Sequence, residues 1–226
     1  MIFNIFKDYL IRNKKKEREL EFQKQWKDYK WENILQSIAD YWKCYRYFDE
    51  VMKIIQPKDK KILDVGSGVV SALNLICNYP GEYYGIDPLM DDYRNLYPLS
   101  SRVNWISSKG EIIPFDESFF DTVICSNVLD HVEKPNIVMQ EISRVLKSSG
   151  KLLLTVDVFK EKEVRDAAHP HCFMEKDIIN LLENQFSILF SRYSELSAQI
   201  LLYVKKQTTI SDNTQELIIV AEKKRM

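Results

Sequence analysis

Two short segments carry residue types at a spacing suited to holding a nucleoside. In Lys61-Ile62-Leu63-Asp64-Val65-Gly66-Ser67-Gly68 an apolar run ends in an acidic residue and then Gly-x-Gly. Neither glycine has a Cβ, so the backbone can turn sharply after a strand and approach a ligand closely. About 20 residues on, the usual offset for such a pair, Tyr84-Gly85-Ile86-Asp87 reads as a second strand with a carboxylate at its tip. An acidic side chain there can accept both hydroxyls of a ribose. Asp87 before Pro88 is also a good helix cap, and the two roles are compatible. The third glycine of the dinucleotide fingerprint is missing; Val70 and Ser71 stand near its place, and Ser71 can cap the next helix.

The chain has three histidines, all in its second half. His131, in Leu129-Asp130-His131-Val132, falls just past the fourth expected strand, where an imidazole can take a proton from a hydroxyl or simply order a loop. His169 and His171, in Ala168-His169-Pro170-His171-Cys172-Phe173, lie after the fifth expected strand and are candidates for acceptor contact or base. In extended backbone the pair projects the same way. With Asp157 or Asp130 it comes near a divalent-ion site, but no set of four ligands is evident and no metal is expected. Asp157 at the strand end reads equally as acceptor contact and as solvated loop.

Positioning these groups calls for a parallel sheet. Short β-rich runs (Lys61 to Val65, Tyr83 to Ile86, Val103 to Ser107, Thr122 to Ser126, Lys151 to Val156) alternate with helical stretches near Val70 to Asn78, Met90 to Tyr97, Pro135 to Leu146 and Glu175 to Asn184. That alternation is the mark of βαβ units covered on both faces. The third helix is expected to end before Ser148-Ser149-Gly150, with glycine as the left-handed cap. Ser187 to Tyr193 and Glu216 to Glu222 are expected to finish the sheet, while Ala198 to Lys205 reads as strand or helix. Residues 1–56 form an expected helical cap on an α/β domain of residues 57–226. Between Lys7 and Ile55 there is no Gly or Pro, and from Trp26 a stripe of Tyr29, Ile34, Ile38, Tyr41, Trp42, Tyr45 and Phe48 runs at helical spacing. It reads as packing onto the domain or as a cover for an acceptor pocket.

Composition bounds the partners. With 45% apolar and 29% charged residues the chain is globular, and its longest apolar runs are strand-sized, well short of a bilayer span. Its 32 basic and 33 acidic residues leave a net charge of -1, so no nucleic-acid partner is expected. Cys44, Cys77, Cys125 and Cys172 form no C-x-x-C pair and read as reduced thiols. Met1 to Leu10 lacks the features of a secretory signal, and a cytoplasmic location is expected. The basic run Arg12 to Arg18 reads as a solvated helix face, with a membrane-surface helix as the alternative.

The third motif narrows the class. Gly110-Glu111-Ile112-Ile113-Pro114-Phe115 leads through Phe119-Phe120-Asp121-Thr122-Val123-Ile124-Cys125-Ser126-Asn127-Val128-Leu129-Asp130-His131-Val132 to Glu141-Ile142-Ser143-Arg144-Val145-Leu146. Together with Ile62 to Gly68, this stretch of about residues 60–157 resembles the class I S-adenosylmethionine-dependent methyltransferases of the UbiE-like, methyltransferase type 11 kind. The resemblance implies a doubly wound, Rossmann-like α/β fold whose seven-stranded sheet has a reversed last strand. It places Asp64, Gly66, Ser67 and Gly68 along the methionine part of S-adenosylmethionine, Asp87 and Leu89 at ribose and adenine, Gly110 and Glu111 at the adenine edge, and Ser126 and Asn127 along the methionine and acceptor side. Lys109 departs from the pattern, which commonly has Asp two places before the Glu. The expected reaction is methyl transfer to oxygen or nitrogen of a small molecule, a sugar or glycan precursor being the favoured acceptor, with His131, His169 and His171 as candidate catalytic groups. The competing readings are a cofactor-binding protein without turnover and a nucleotide-dependent dehydrogenase; the missing fingerprint glycine and the Pro114 to Asp121 motif speak against the second.

Overall fold

The computed structural model describes residues 16–17, 20–21, 31–165, 168–194 and 213–225. Two helices come first, α1 (Trp31–Tyr45) and α2 (Phe48–Ile55). Glu32 in the first turn of α1 and Lys43 in its last complement the helix dipole. Ile34, Ile38, Tyr41 and Trp42 recur every three or four residues and are buried as one stripe. α2 stops where Gln56 turns left-handed (φ 52) ahead of Pro57. The alternating part follows: β1 (Lys60–Val65), α3 (Leu73–Ile76), β2 (Gly81–Asp87), α4 (Met90–Leu96), β3 (Val103–Ser107), β4 (Phe120–Ser126), α5 (Pro135–Val145), β5 (Leu146–Phe159), α6 (Glu175–Leu182), β6 (Phe186–Tyr193) and β7 (Thr214–Lys223).

The strands make one seven-stranded sheet in the order β3-β2-β1-β4-β5-β7-β6. β1 to β5 pair in parallel, and β7 runs antiparallel to both β5 and β6, so the last strand is the reversed one, as expected. Side chains alternate along each strand, and both faces are apolar. Leu63, Val65, Val123, Cys125, Leu152 and Leu154 meet α5 and α6 on one face. Ile62, Ile124, Leu153, Ile218 and Val220 point the other way, into a cluster that also holds Trp42, Val51, Leu73, Met90 and Tyr93. The stripe on α1 and α2 is therefore packed into this second core.

Three boundaries differ from the sequence reading. The helix expected over Val70 to Asn78 is the single turn Leu73–Ile76, ahead of which the Ser71 hydroxyl accepts a hydrogen bond from the Leu73 N–H at 2.9 Å. β5 begins at Leu146, directly where α5 ends. The left-handed residue after α5 is Ser149 (φ 60), not Gly150. Gly150 is needed for space, since a Cβ there would stand 2.8 Å from the Lys147 carbonyl oxygen. Residues 1–10, most of the Arg12 to Arg18 run, Trp26, Tyr29 and Ala198 to Lys205 lie outside the described residues. Among the described residues no helix is long and apolar enough to cross a membrane. The four cysteines are free thiols.

α1 is tied to the sheet by more than apolar contact. The buried Arg46 just after it forms an ion pair with the buried Glu216 of β7, its Nη2 donating to Oε1 and its Nε to Oε2 at 3.1 Å. Tyr41 donates to the same Oε2 at 2.7 Å, and the Arg46 guanidinium also lies over the Tyr41 and Trp42 rings. Removing one member of a buried pair strands the other charge, which costs about 3–5 kcal/mol, whereas replacing both by apolar groups is often far milder. Urea unfolding of Arg46→Ala should show a loss of that size, and Arg46→Met combined with Glu216→Leu should recover most of it. Equal losses in the single and double variants would contradict this role.

Candidate active site

Parallel strands β1, β2, β4 and β5 end at one edge, and the chemistry-bearing residues gather there. After β1 the backbone turns through Gly66 (φ 66) and Gly68 (φ 53). Between them, Ser67 donates its N–H to the Ile86 carbonyl at 3.0 Å, pinning the turn to the end of β2. A Cβ on Gly66 would stand 2.5 and 2.7 Å from the two methyl carbons of Val128, so the loop after β4 closes directly on this glycine. Asp64 is 2% exposed, and its Oδ2 accepts from the Ser71 hydroxyl at 2.5 Å. Burial pushes its carboxyl up to about 7; the Ser71 hydrogen bond and the Arg46 charge pull it down, and the nearby Asp87 charge adds to the rise.

Asp87 bridges two elements. Its Oδ2 accepts from the Gly68 N–H at 3.1 Å and its Oδ1 from the Leu89 N–H at 2.8 Å, so it ties the glycine turn to the residue preceding α4, whose N-cap is Leu89 without a side-chain cap. Leu89 is buried beside it. Gly110 is buried against Val65 and Val138. The Glu111 carboxylate accepts from the Glu133 and Lys134 N–H groups at 3.0 and 3.3 Å, which puts its negative charge at the N-terminus of α5. Lys109 lies 3.8 Å from the Glu133 carboxylate.

At the end of β4, Ser126 shares a hydrogen bond with Thr155 at 2.9 Å and accepts one from Arg46 Nη1 at 3.1 Å. Asn127 is left-handed (φ 57) and donates its N–H to the Thr155 carbonyl at 2.8 Å. Two buried polar atoms here, Ser67 Oγ and Asn127 Oδ1, have no hydrogen-bond partner among the described residues. Arg46 and Glu216 were not singled out from the sequence. An acidic residue opening the apolar run Leu217 to Ala221, and an arginine beside the aromatic stripe of α1, are the signals that point to them. Burial works against the Arg46 charge, but Glu216 and Tyr41 outweigh it and hold the guanidinium above its ordinary value.

The histidines separate. His131 and His169 meet across the two loops with ring centroids 4.3 Å apart. His171 turns away to hydrogen-bond the Val132 carbonyl at 2.9 Å and stack on Phe173. The chain neighbours His169 and His171 thus have different partners and do not act as one pair. Asp130, next to His131, is buried at 2% exposure.

The strand order and the glycine turn define a Rossmann-like α/β fold. Residues 63–154 match the family model described as a methyltransferase domain. It is 31% identical over 100 residues to the ubiquinone/menaquinone biosynthesis C-methyltransferase UbiE of Syntrophotalea carbinolica, covering 42% of each chain. Among solved structures it is similar to the [4+2]-cyclase SpnF (TM-score 0.65, 18% identity, 80% of this chain and 81% of that one). It is also similar to a SAM-dependent methyltransferase from Methanosarcina mazei (TM-score 0.57, 18% identity, 78% and 98% covered). The chain spans about half the length of the first curated relatives it matches, 48% and 53%.

The closure of Val128 on Gly66 can be tested by itself. Gly66→Ala adds overpacking of about 1–3 kcal/mol to the left-handed penalty of about 1–2 kcal/mol. At Gly68 no atom lies within 4 Å of the added methyl, leaving only the second cost. Chemical denaturation should therefore rank Gly66→Ala well below Gly68→Ala, with Val128→Ala partly rescuing the former. Equal stability of the two alanine variants would refute the contact.

Proposed function

We propose that this chain binds S-adenosylmethionine at the Asp64 to Gly68 turn and transfers its methyl group to an oxygen or nitrogen of a small molecule. The observation that carries this reading is that the family-matched turn lies beside two buried polar atoms, Ser67 Oγ and Asn127 Oδ1, without partners among the described residues. Buried donors and acceptors are nearly always satisfied, so such a pair, one on the turn and one on the loop that closes against it, fits a polar ligand. Bound there, the cofactor supplies a methyl group on a positively charged sulfur. Asp64, Gly66, Ser67 and Gly68 border its methionine part with Ser126 and Asn127, and Asp87 with Leu89 takes the ribose and adenine. Gly110 and Glu111 form the adenine edge, with Glu111 Oε1 tied to the Glu133 and Lys134 N–H groups.

The acceptor side is formed by the loops after β4 and β5, with His131 and His169 as the groups that orient or deprotonate a hydroxyl. A sugar or glycan precursor is the acceptor this polar edge suits. Residues 1–56 cap the domain of residues 57–226, with Arg46 and Tyr41 reaching to the strand ends. The protein works in the cytoplasm. SpnF is named for a cyclisation, so the fold by itself does not carry transfer, and binding without turnover is the second reading.

Calorimetry separates these readings. S-adenosylmethionine should bind saturably and nicotinamide dinucleotides should not; the reverse result would sink the proposal, and tight binding without turnover on any acceptor would favour the second reading. With its carboxyl at about 7, Asp64 is mostly protonated at pH 6 and mostly charged at pH 8. The α-ammonium and sulfonium charges of the cofactor favour the charged form. Binding near pH 7 should therefore release a proton, and affinity should rise from pH 6 to pH 8 by up to about tenfold and then level off. Asp64→Asn should abolish that dependence; a wild-type affinity that is flat across this range would contradict it.

A further inference from the structure

A second set of groups at the same sheet edge has the makings of a metal site. Asp130, His131 and His169 each offer a ligand atom, and the three atoms lie within 4.8 Å of one another. Asp130 is 2% exposed, and its Oδ1 has no hydrogen-bond partner among the described residues. That oxygen is 3.8 Å from His131 Nε2, too long for a hydrogen bond. Leaving a buried carboxylate oxygen bare is costly, and a cation shared with two imidazoles removes the cost.

We propose that Asp130, His131 and His169 bind a divalent first-row transition-metal ion through three protein ligands, leaving its remaining positions open toward the acceptor. Two imidazoles and one carboxylate suit zinc, cobalt or iron(II), whereas magnesium and calcium take sites built from oxygen. Ligands about 2.0–2.1 Å from a tetrahedral ion stand roughly 3.3 Å apart, so the observed spacing has to contract by no more than about 1.5 Å, within reach of side-chain rotation. The other Asp130 oxygen faces a cation: Arg165 Nη2 lies 3.8 Å from Oδ2, an electrostatic contact without a hydrogen bond, and Arg165 also pairs with Glu163 at 3.2 Å. Such an outer partner orients a ligating carboxylate.

The consequence for the substrate rests on the methyl-transfer reading; the binding of the ion does not. The triad sits on the loops following β4 and β5, and Val128 of the first loop touches Gly66 of the cofactor turn. An ion there would take an acceptor that ligates through oxygen, such as a vicinal diol or a hydroxy acid, and would lower the pKa of the ligated hydroxyl.

The test uses the full chain stripped with chelator and titrated with cobalt(II), following the visible absorption of the bound ion. One equivalent should bind, and His131→Ala, His169→Ala and Asp130→Asn should each weaken binding at least tenfold. His171→Ala, whose ring faces Val132 instead, should stay within about twofold. Demethylated cofactor titrated into each variant by calorimetry reports folding and the cofactor site independently. Cobalt that fails to saturate, or binds equally well to His169→Ala, overturns the metal site whatever the cofactor does. Failed cofactor binding with intact cobalt binding overturns only the methyl-transfer reading.

Discussion

One steric fact organises the site: there is no room for a side chain at Gly66. The Val128 methyls occupy the place of its Cβ, at 2.5 and 2.7 Å, and the backbone there is left-handed. The turn after β1 and the loop after β4 are therefore locked together. Everything of chemical interest follows from that lock. It brings Asp64 and Asp87 on one side toward Asn127, Asp130 and His131 on the other, all at the carboxyl edge of the parallel strands, where open α/β sheets place their ligands.

Charge is the second organising element. Asp64, Arg46 and Glu216 are buried within one neighbourhood, and Arg46 contacts both Glu216 and Ser126. The guanidinium that anchors α1 also bears on the Asp64 carboxyl, offsetting part of the rise from burial that leaves it at about 7. The N-terminal helices are thus coupled electrostatically to the cofactor turn as well as packed against the sheet. Binding a cation near Asp64 would be felt through this network.

Much of this was legible in the sequence, because the parallel sheet leaves strong local marks. The apolar run Lys61 to Val65, the alternation through Val156 and the late β-prone runs all correspond to observed elements, while the reversal of the final strand is implied by the family resemblance alone. What was hidden were side chains whose partners are remote in the chain. Arg46 and Glu216 are 170 residues apart, and nothing in either local pattern names the other. The sequence pairs His169 with its chain neighbour His171, yet the His169 ring meets His131 while His171 bonds the Val132 carbonyl, contacts across loops that local spacing does not report. Gly150 was read as a left-handed cap, but Ser149 takes that conformation and Gly150 answers a backbone contact. Patterns report elements well; they do not report which loop tips meet.

The central claim is that the Asp64 to Gly68 turn is a binding site for S-adenosylmethionine. A crystal structure of the chain with the demethylated cofactor tests it most directly. The account predicts the ribose hydroxyls on Asp87 and polar contacts from the ligand to Ser67 Oγ and Asn127 Oδ1. Density for the ligand elsewhere, or a turn left empty at saturating ligand, would contradict it.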